Sequence, residues 1–246
     1  LKRTLSAFLF LVSFLACQQN ITDMVLIPPG EFTLGISSDK NAPRFMSERT
    51  ASKNAQPQQK YYLDSFYIDR YEVTYEDFMR FKPLAKYKTL KSNEPIRGIS
   101  WYEADAYCLW IGKRLPTEFE WERAARGDNN FLFVWGQEFH DDWANFGKTV
   151  SPVGSFEKDV SRDGVYDMNG NVSEWTSSWY LPYPNSTHKD ENFGDKYKVT
   201  RGAGIQKREH GFMKEFTTLT YRNFIPPSGR FWDTGFRCAL SATKNP

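Results

Sequence analysis

The sequence predicts an α+β fold of short helices and short antiparallel strands, with much irregular chain between them. Three observations carry this. Three helix starts repeat one capping pattern, apolar residues alternate in short runs bounded by turn formers, and no internal repeat or linker divides the 246 residues. Charged residues make up 25% and hydrophobic ones 40%, a globular rather than a disordered composition. Aromatic residues reach 17%, and such large side chains can hold irregular chain together.

The chain starts with a basic pair, Lys2 and Arg3, followed by an apolar run of twelve residues from Leu5 to Ala16. That run is too short to span a bilayer and suits the hydrophobic region of a secretory signal. It ends at Ala16-Cys17 and resembles a bacterial lipoprotein signal, although Phe14 stands where the usual pattern has leucine. The expectation is that residues 1–16 are removed, Cys17 is lipidated, 17–23 form a tether and 24–242 form the domain. The protein is then exported and lipid-anchored at the bacterial cell envelope, on the outer membrane or cell surface, with plain secretion as the alternative. Removing 1–16 leaves thirty basic residues against thirty acidic ones. A formally neutral protein lacks the basic footprint that nucleic acid requires. With Cys17 lipidated, Cys108 and Cys238 remain in an oxidising compartment, either as a disulfide or as two buried thiols.

In the domain, Val25 and Ile27, then Phe32 and Leu34, alternate around Pro28-Pro29-Gly30, which predicts a strand pair. Residues 36–60 are polar and read as a long surface loop with weak order. Residues 61–71 return to an aromatic-rich strand. Helices are predicted after Thr74, Ser100 and Thr117, each followed three residues later by an acid: Asp77, Glu103 and Glu120. In such a capping box the hydroxyl accepts a backbone N–H and the acid reaches back. The second helix places Trp101, Ala104, Cys108 and Ile111 on one core face. The third ends at Gly127, a suitable terminating residue. Short strands and turns follow. One stretch, Val165–Thr176 (V-Y-D-M-N-G-N-V-S-E-W-T), holds two carboxylates, Asp167 and Glu174, around an Asn-Gly turn. Turn chemistry alone reads it as a hairpin; the acids also suit an oxygen-lined ion loop.

Several blocks, taken together and in order, resemble the formylglycine-generating enzyme family, the sulfatase-modifying factor domain. They are Met24–Gly35, Phe66–Thr74, Ile99–Gly127 with its K-R-L-P-T-E-F-E-W-E-R-A-A-R-G run, Tyr166–Thr176, Val199–Gly202 and Gly235–Ala239. The resemblance implies a fold related to C-type lectins and a structural disulfide between Cys108 and Cys238. It also implies one calcium ion, held by Asp167, the carbonyls of Gly170 and Val172, and Glu174. A second family calcium site would start at Asn145, but the loop that follows is only G-K-T-V-S, so that site is not expected.

The family's enzymes oxidise a cysteine of a target sulfatase with copper(I) on two cysteines, because copper(I) needs soft thiolates. An ungapped count from Arg201 puts those two positions on Lys207 and Phe212, and the family's serine on Gly204. No cysteine lies between Cys108 and Cys238, so copper is not expected. The three histidines, His140, His188 and His210, form no closely spaced pair, which argues against the iron triad of related sulfoxide synthases. The reading that results is a non-catalytic, anchored domain that binds an unknown protein or glycan. Its candidate surface is Arg201, Lys207, Arg208, His210 and Arg222. An oxidase with a divergent metal centre and a structural subunit of an envelope assembly are the alternatives.

Overall fold

Pro28 and Pro29 shape the first part of the fold. A computed structural model describes residues 22–37, 53–83, 91–205 and 214–242. The expected signal, Cys17, Lys207, Arg208, His210 and Phe212 therefore lie outside the described residues. Strands β1 (Met24–Ile27) and β2 (Gly30–Leu34) flank the two prolines, but they do not pair with each other as expected. Instead β1 pairs with β4 (Phe66–Asp69) and β2 with β3 (Gln59–Leu63), both antiparallel. One register runs through both pairs, with Ile27 opposite Phe66 and Gly30 opposite Leu63. The prolines thus interrupt a single long ribbon. Proline has no N–H to give a ladder and holds the preceding residue extended, so the chain passes on to the next sheet rather than folding back.

The expected surface loop ends earlier than residue 60. Gln59 and Lys60 already belong to β3, and Asn54 and Ala55 are buried. The Asn54 amide donates to the Tyr180 hydroxyl and the Arg222 carbonyl, and these two bonds hold this polar residue inside, although its side-chain oxygen has no partner among the described residues.

The three helices form where predicted: α1 (Tyr75–Phe81), α2 (Trp101–Trp110) and α3 (Glu118–Arg126). Ser100 with Glu103 and Thr117 with Glu120 make complete capping boxes. At α1 the Asp77 carboxylate instead takes the Thr74 hydroxyl at 2.6 Å, since aspartate is one methylene too short to reach back comfortably. Gly127 closes α3 with φ of 64°, a conformation that favours glycine.

Beyond α3 come β5 (Ser173–Trp179), β6 (Lys198–Arg201), a 3₁₀ turn at Lys214–Thr217, β7 (Asn223–Ile225), β8 (Thr234–Gly235) and β9 (Ala239–Ser241). They complete two sheets in the orders β1-β4-β9 and β7-β6-β5-β8; all pairings are antiparallel except β5 with β8. Helix α3 packs against β2, β5 and β6, and so joins the sheets.

One core cluster gathers Phe78, Tyr107, Phe236 and Trp175 around Cys108 and Cys238, which are disulfide-bonded with Cα atoms 5.7 Å apart. On α2, Ala104, Tyr107 and Cys108 are buried, while Trp101 and Ile111 pack at the margin. The bond ties α2 to the last strand across 130 residues. Replacing both cysteines by serine is expected to cost about 2–5 kcal/mol, read as a lower denaturant midpoint, because a long closed loop is released in the unfolded chain.

Candidate functional site

Glu118, Glu122 and Arg126 are spaced by four residues along α3 and share one face. On an exposed helix this would be a solvated charge stripe; here it is buried. Arg201, at the end of β6, donates to Glu122 at 2.6 Å, to the Tyr183 hydroxyl at 3.0 Å and to the Leu219 carbonyl at 2.6 Å. Arg222 makes a fork on Glu118, both bonds 2.7 Å, and donates also to the carbonyls of Asn54 and Leu181. Glu122 accepts from Arg126 at 2.6 Å, from the Gly35 N–H at 2.8 Å and from Tyr183 at 3.0 Å. Burial alone would raise the Glu122 carboxyl, but Arg201 and Arg126 hold it below its usual range.

Arg201 and Arg222 therefore do not belong to a binding surface. Each is fully buried and pairs with a carboxylate: Arg222 bonds Glu118 and two carbonyls through all three nitrogens, whereas Arg201 bonds Glu122, Tyr183 and Leu219 and leaves its buried Nε without a partner among the described residues. Desolvating such charges costs several kcal/mol per ion, and the close carboxylate pairing of each guanidinium offsets that cost. The signal in the sequence was the repeat of Glu118, Glu122 and Arg126 at one helical turn, which the capping pattern alone did not bring out. Of the other proposed surface residues, Lys207, Arg208 and His210 lie outside the described residues.

The position matching the family's serine is closed. A Cβ at Gly204 would lie 2.6 Å from the Asp233 carbonyl oxygen and 2.8 Å from its Cβ. That carbonyl is itself fixed by the Ser173 N–H at 2.9 Å. No side chain fits at Gly204 without moving β5 or the chain before β8.

The Asp167–Glu174 stretch is a buried node rather than a hairpin. Asp167 and Asn171 both adopt positive φ, 58° and 68°. Two acids that the sequence reading overlooked hold the loop's N–H groups. Asp159 accepts from Asn169 and Gly170, and Glu72 accepts from the Asn171 amide and the Val172 N–H. Glu72 lies 99 residues from Asn171, beyond any local pattern, whereas Asp159 is only 10 residues from Asn169 and was within reach of a closer reading. Glu174 is gripped by Arg237 through two 2.7 Å bonds and by the Trp121 indole at 2.9 Å. Asp167 accepts the Gly154 N–H at 2.6 Å. Four buried carboxylates thus surround the loop, with the Arg237 guanidinium against them. Burial pushes Glu72, Asp159 and Asp167 above the usual carboxylate range, Asp167 to about 6, and mutual repulsion adds to the effect. Among the described residues, no three His, Cys, Asp or Glu side chains converge closely enough to hold a metal. A cation here would need backbone carbonyls as well. Asn145 spends its side chain locally: its oxygen accepts from Gly147 and its amide donates to Thr149, Ser151 and Asn171. His140 stacks on Trp143, while His188 sits against Phe193.

This framework is shared with known proteins. The model of the sulfatase-modifying factor enzyme 1-like domain matches residues 12–242, and the chain belongs to that family. The match starts within the apolar run, ahead of Met24. Among curated relatives, the serine/threonine-protein kinase Pkn1 of Chlamydia trachomatis is 31% identical over 90% of this chain and 39% of its own length. The formylglycine-generating enzyme of Mus musculus is 27% identical over 89% of this chain and 75% of its own. The inactive C-alpha-formylglycine-generating enzyme 2 of Mus musculus is 36% identical over 60% of this chain and 49% of its own. The chain thus spans less than half of two of these relatives. Among solved structures, PvdO from Pseudomonas aeruginosa has the same fold, with a TM-score of 0.68, 23% identity and coverage of 89% of this chain and 94% of that one.

Substituting Glu122→Gln tests the buried network. It leaves Arg126 and Arg201 without their shared anion and is expected to cost about 3–5 kcal/mol in chemical denaturation. The exposed pair Glu76–Arg80 provides the contrast, and Glu76→Gln is expected to cost about 0–1 kcal/mol.

Proposed function

We propose that this chain is a lipid-anchored cell-envelope protein whose sulfatase-modifying factor domain does not oxidise cysteine and binds a protein or glycan ligand instead. The observation that carries this is the state of the family's catalytic positions. The serine position is Gly204, pressed against Asp233, and two of the three cysteines are joined to each other. The third, Cys17, is the proposed lipid attachment. Nothing is left to form a thiolate pair, and copper(I) requires soft ligands. Lys207 offers an ammonium that repels a cation, and Phe212 offers no ligand atom. The inactive mouse relative supports the same reading, because its name records a family member without the activity. Lys207, Arg208 and His210 are the proposed ligand contacts, as the charged residues of the former catalytic stretch.

The test is incubation with copper(I), a reductant, oxygen and a C-x-P-x-R peptide, followed by mass spectrometry. The expected result is no aldehyde above a metal-only control; turnover above that control overturns the proposal.

One calcium ion at the loop is part of the same proposal, with Asp167, the carbonyls of Gly170 and Val172, and Glu174 as ligands. Support comes from the excess of buried carboxylate over guanidinium, which a hard cation would neutralise. Asp167→Asn is the suitable variant, since asparagine tolerates positive φ and removes only the charge. Added calcium is expected to raise the Tm of the wild type but not of Asp167→Asn, because a ligand bound by the native state alone stabilises it. Elemental analysis without calcium, together with an unmoved wild-type Tm, refutes the site.

A further inference from the structure

Helix α2 is apolar on both sides. Its inner face, Ala104, Tyr107 and Cys108, lies in the core around the disulfide. Its outer face carries Tyr102, Ala106, Leu109 and Trp110, all exposed, Leu109 to 62% and Trp110 to 55%. A surface helix normally turns charge outward, so an apolar outer face marks contact with something other than water. Neighbouring elements lengthen the strip. At one end, Trp101 and Trp179 hold the Lys198 ammonium between their rings, at 4.1 and 3.7 Å. At the other, Trp110 packs on Phe81 of α1 at 5.5 Å. Glu103 is answered by Lys82 and Arg230, and Asp105 lies in the field of the Lys198 ammonium, although burial pushes its carboxyl above the usual range.

The start of the domain determines how far this strip stands from Cys17. Asp23, just ahead of β1, shares the wall of a cavity of about 340 Å3 with Tyr107, Ile111 and Lys113 at the C-terminal end of α2. The six residue steps from Cys17 to Asp23 reach at most roughly 20 Å. Helix α2, ten residues long, measures ~15 Å. A lipid on Cys17 would therefore keep the C-terminal end of the strip within reach of the bilayer, and the rest of it about one helix length further on. We propose that the outer face of α2 docks on that membrane surface, with Tyr102, Leu109 and Trp110 entering the headgroup region. The proposal rests on lipidation of Cys17. Tryptophan and tyrosine settle at the headgroup level because their rings are apolar with one polar end. The anchor supplies a high effective concentration, so even a weak docking face is occupied. No helix among the described residues is long and apolar enough to cross a membrane, and the contact is one of surface.

The test uses the full-length lipidated protein on phosphatidylethanolamine–phosphatidylglycerol vesicles that contain a lipid with brominated acyl chains. Tryptophan quenching is the readout, and flotation reports anchoring. Leu109→Glu keeps every tryptophan and changes an exposed position. The wild type is expected to be quenched about twofold more than Leu109→Glu, with both floating alike. Equal quenching overturns docking and leaves the anchor standing. Flotation of Cys17→Ser to the wild-type extent overturns the anchor, and with it the geometry that places α2 at the bilayer. A wild-type dimer in detergent that Leu109→Glu turns into monomer assigns the face to a second copy and overturns the membrane reading.

Discussion

The Glu122 carboxylate takes hydrogens from four separate places in the chain: the Gly35 N–H after β2, Arg126 on α3 itself, Tyr183 in the loop after β5, and Arg201 at the end of β6. A single anion thereby sets the distance between the central helix and two sheets. Its stabilisation is conditional, because each buried guanidinium around it is tolerable only while the acceptor is present. The position of Arg201 in turn decides where the chain beyond β6 departs.

A second anion sits next to the first. Trp121, the neighbour of Glu122, donates to Glu174, and Glu174 lies opposite Arg201 in the β5–β6 register. Glu174 also carries the fork of Arg237, one residue before Cys238. The two nodes, the sheet and the disulfide strand are thus one connected set of charge-assisted bonds. None of these bonds involves a cysteine thiolate or the side chain at position 204. A family member can lose its metal ligands and keep this framework, because the bonds that shape the domain and the groups that would perform chemistry are different atoms.

How much of this could be read from the sequence depended on range. The helix starts were legible because capping acts over three residues. The partner of β1 was not, because Pro28-Pro29 sends β2 to another sheet and the pairing with β4 spans 42 residues or so of chain, roughly the distance over which local patterns carry no information. Arg201 and Arg222 were misplaced on the surface for a similar reason: their partners Glu118 and Glu122 sit far upstream, and only the assembled fold shows that α3 turns its charged side inward. The Asp167–Glu174 stretch was recognisable as special, yet Glu72 was invisible as its distant support, and Asp159, much nearer, was overlooked. The disulfide came from family resemblance, not from the count of cysteines, which left free thiols open.

The 130-residue separation of Cys108 and Cys238 also bears on damage. Everything from the end of α2 to the last strand, including α3, β5, β6 and the acids Glu122 and Glu174, lies inside that covalent ring, while Gly35 and Glu72 reach those acid nodes from outside it. A single break in the backbone within the ring opens it but frees neither piece. The two fragments stay linked through sulfur and remain packed by the Glu122 and Glu174 contacts. Wherever a protease meets it, such a domain can be nicked at an exposed turn and still stay whole, losing its pieces only when a reductant arrives as well.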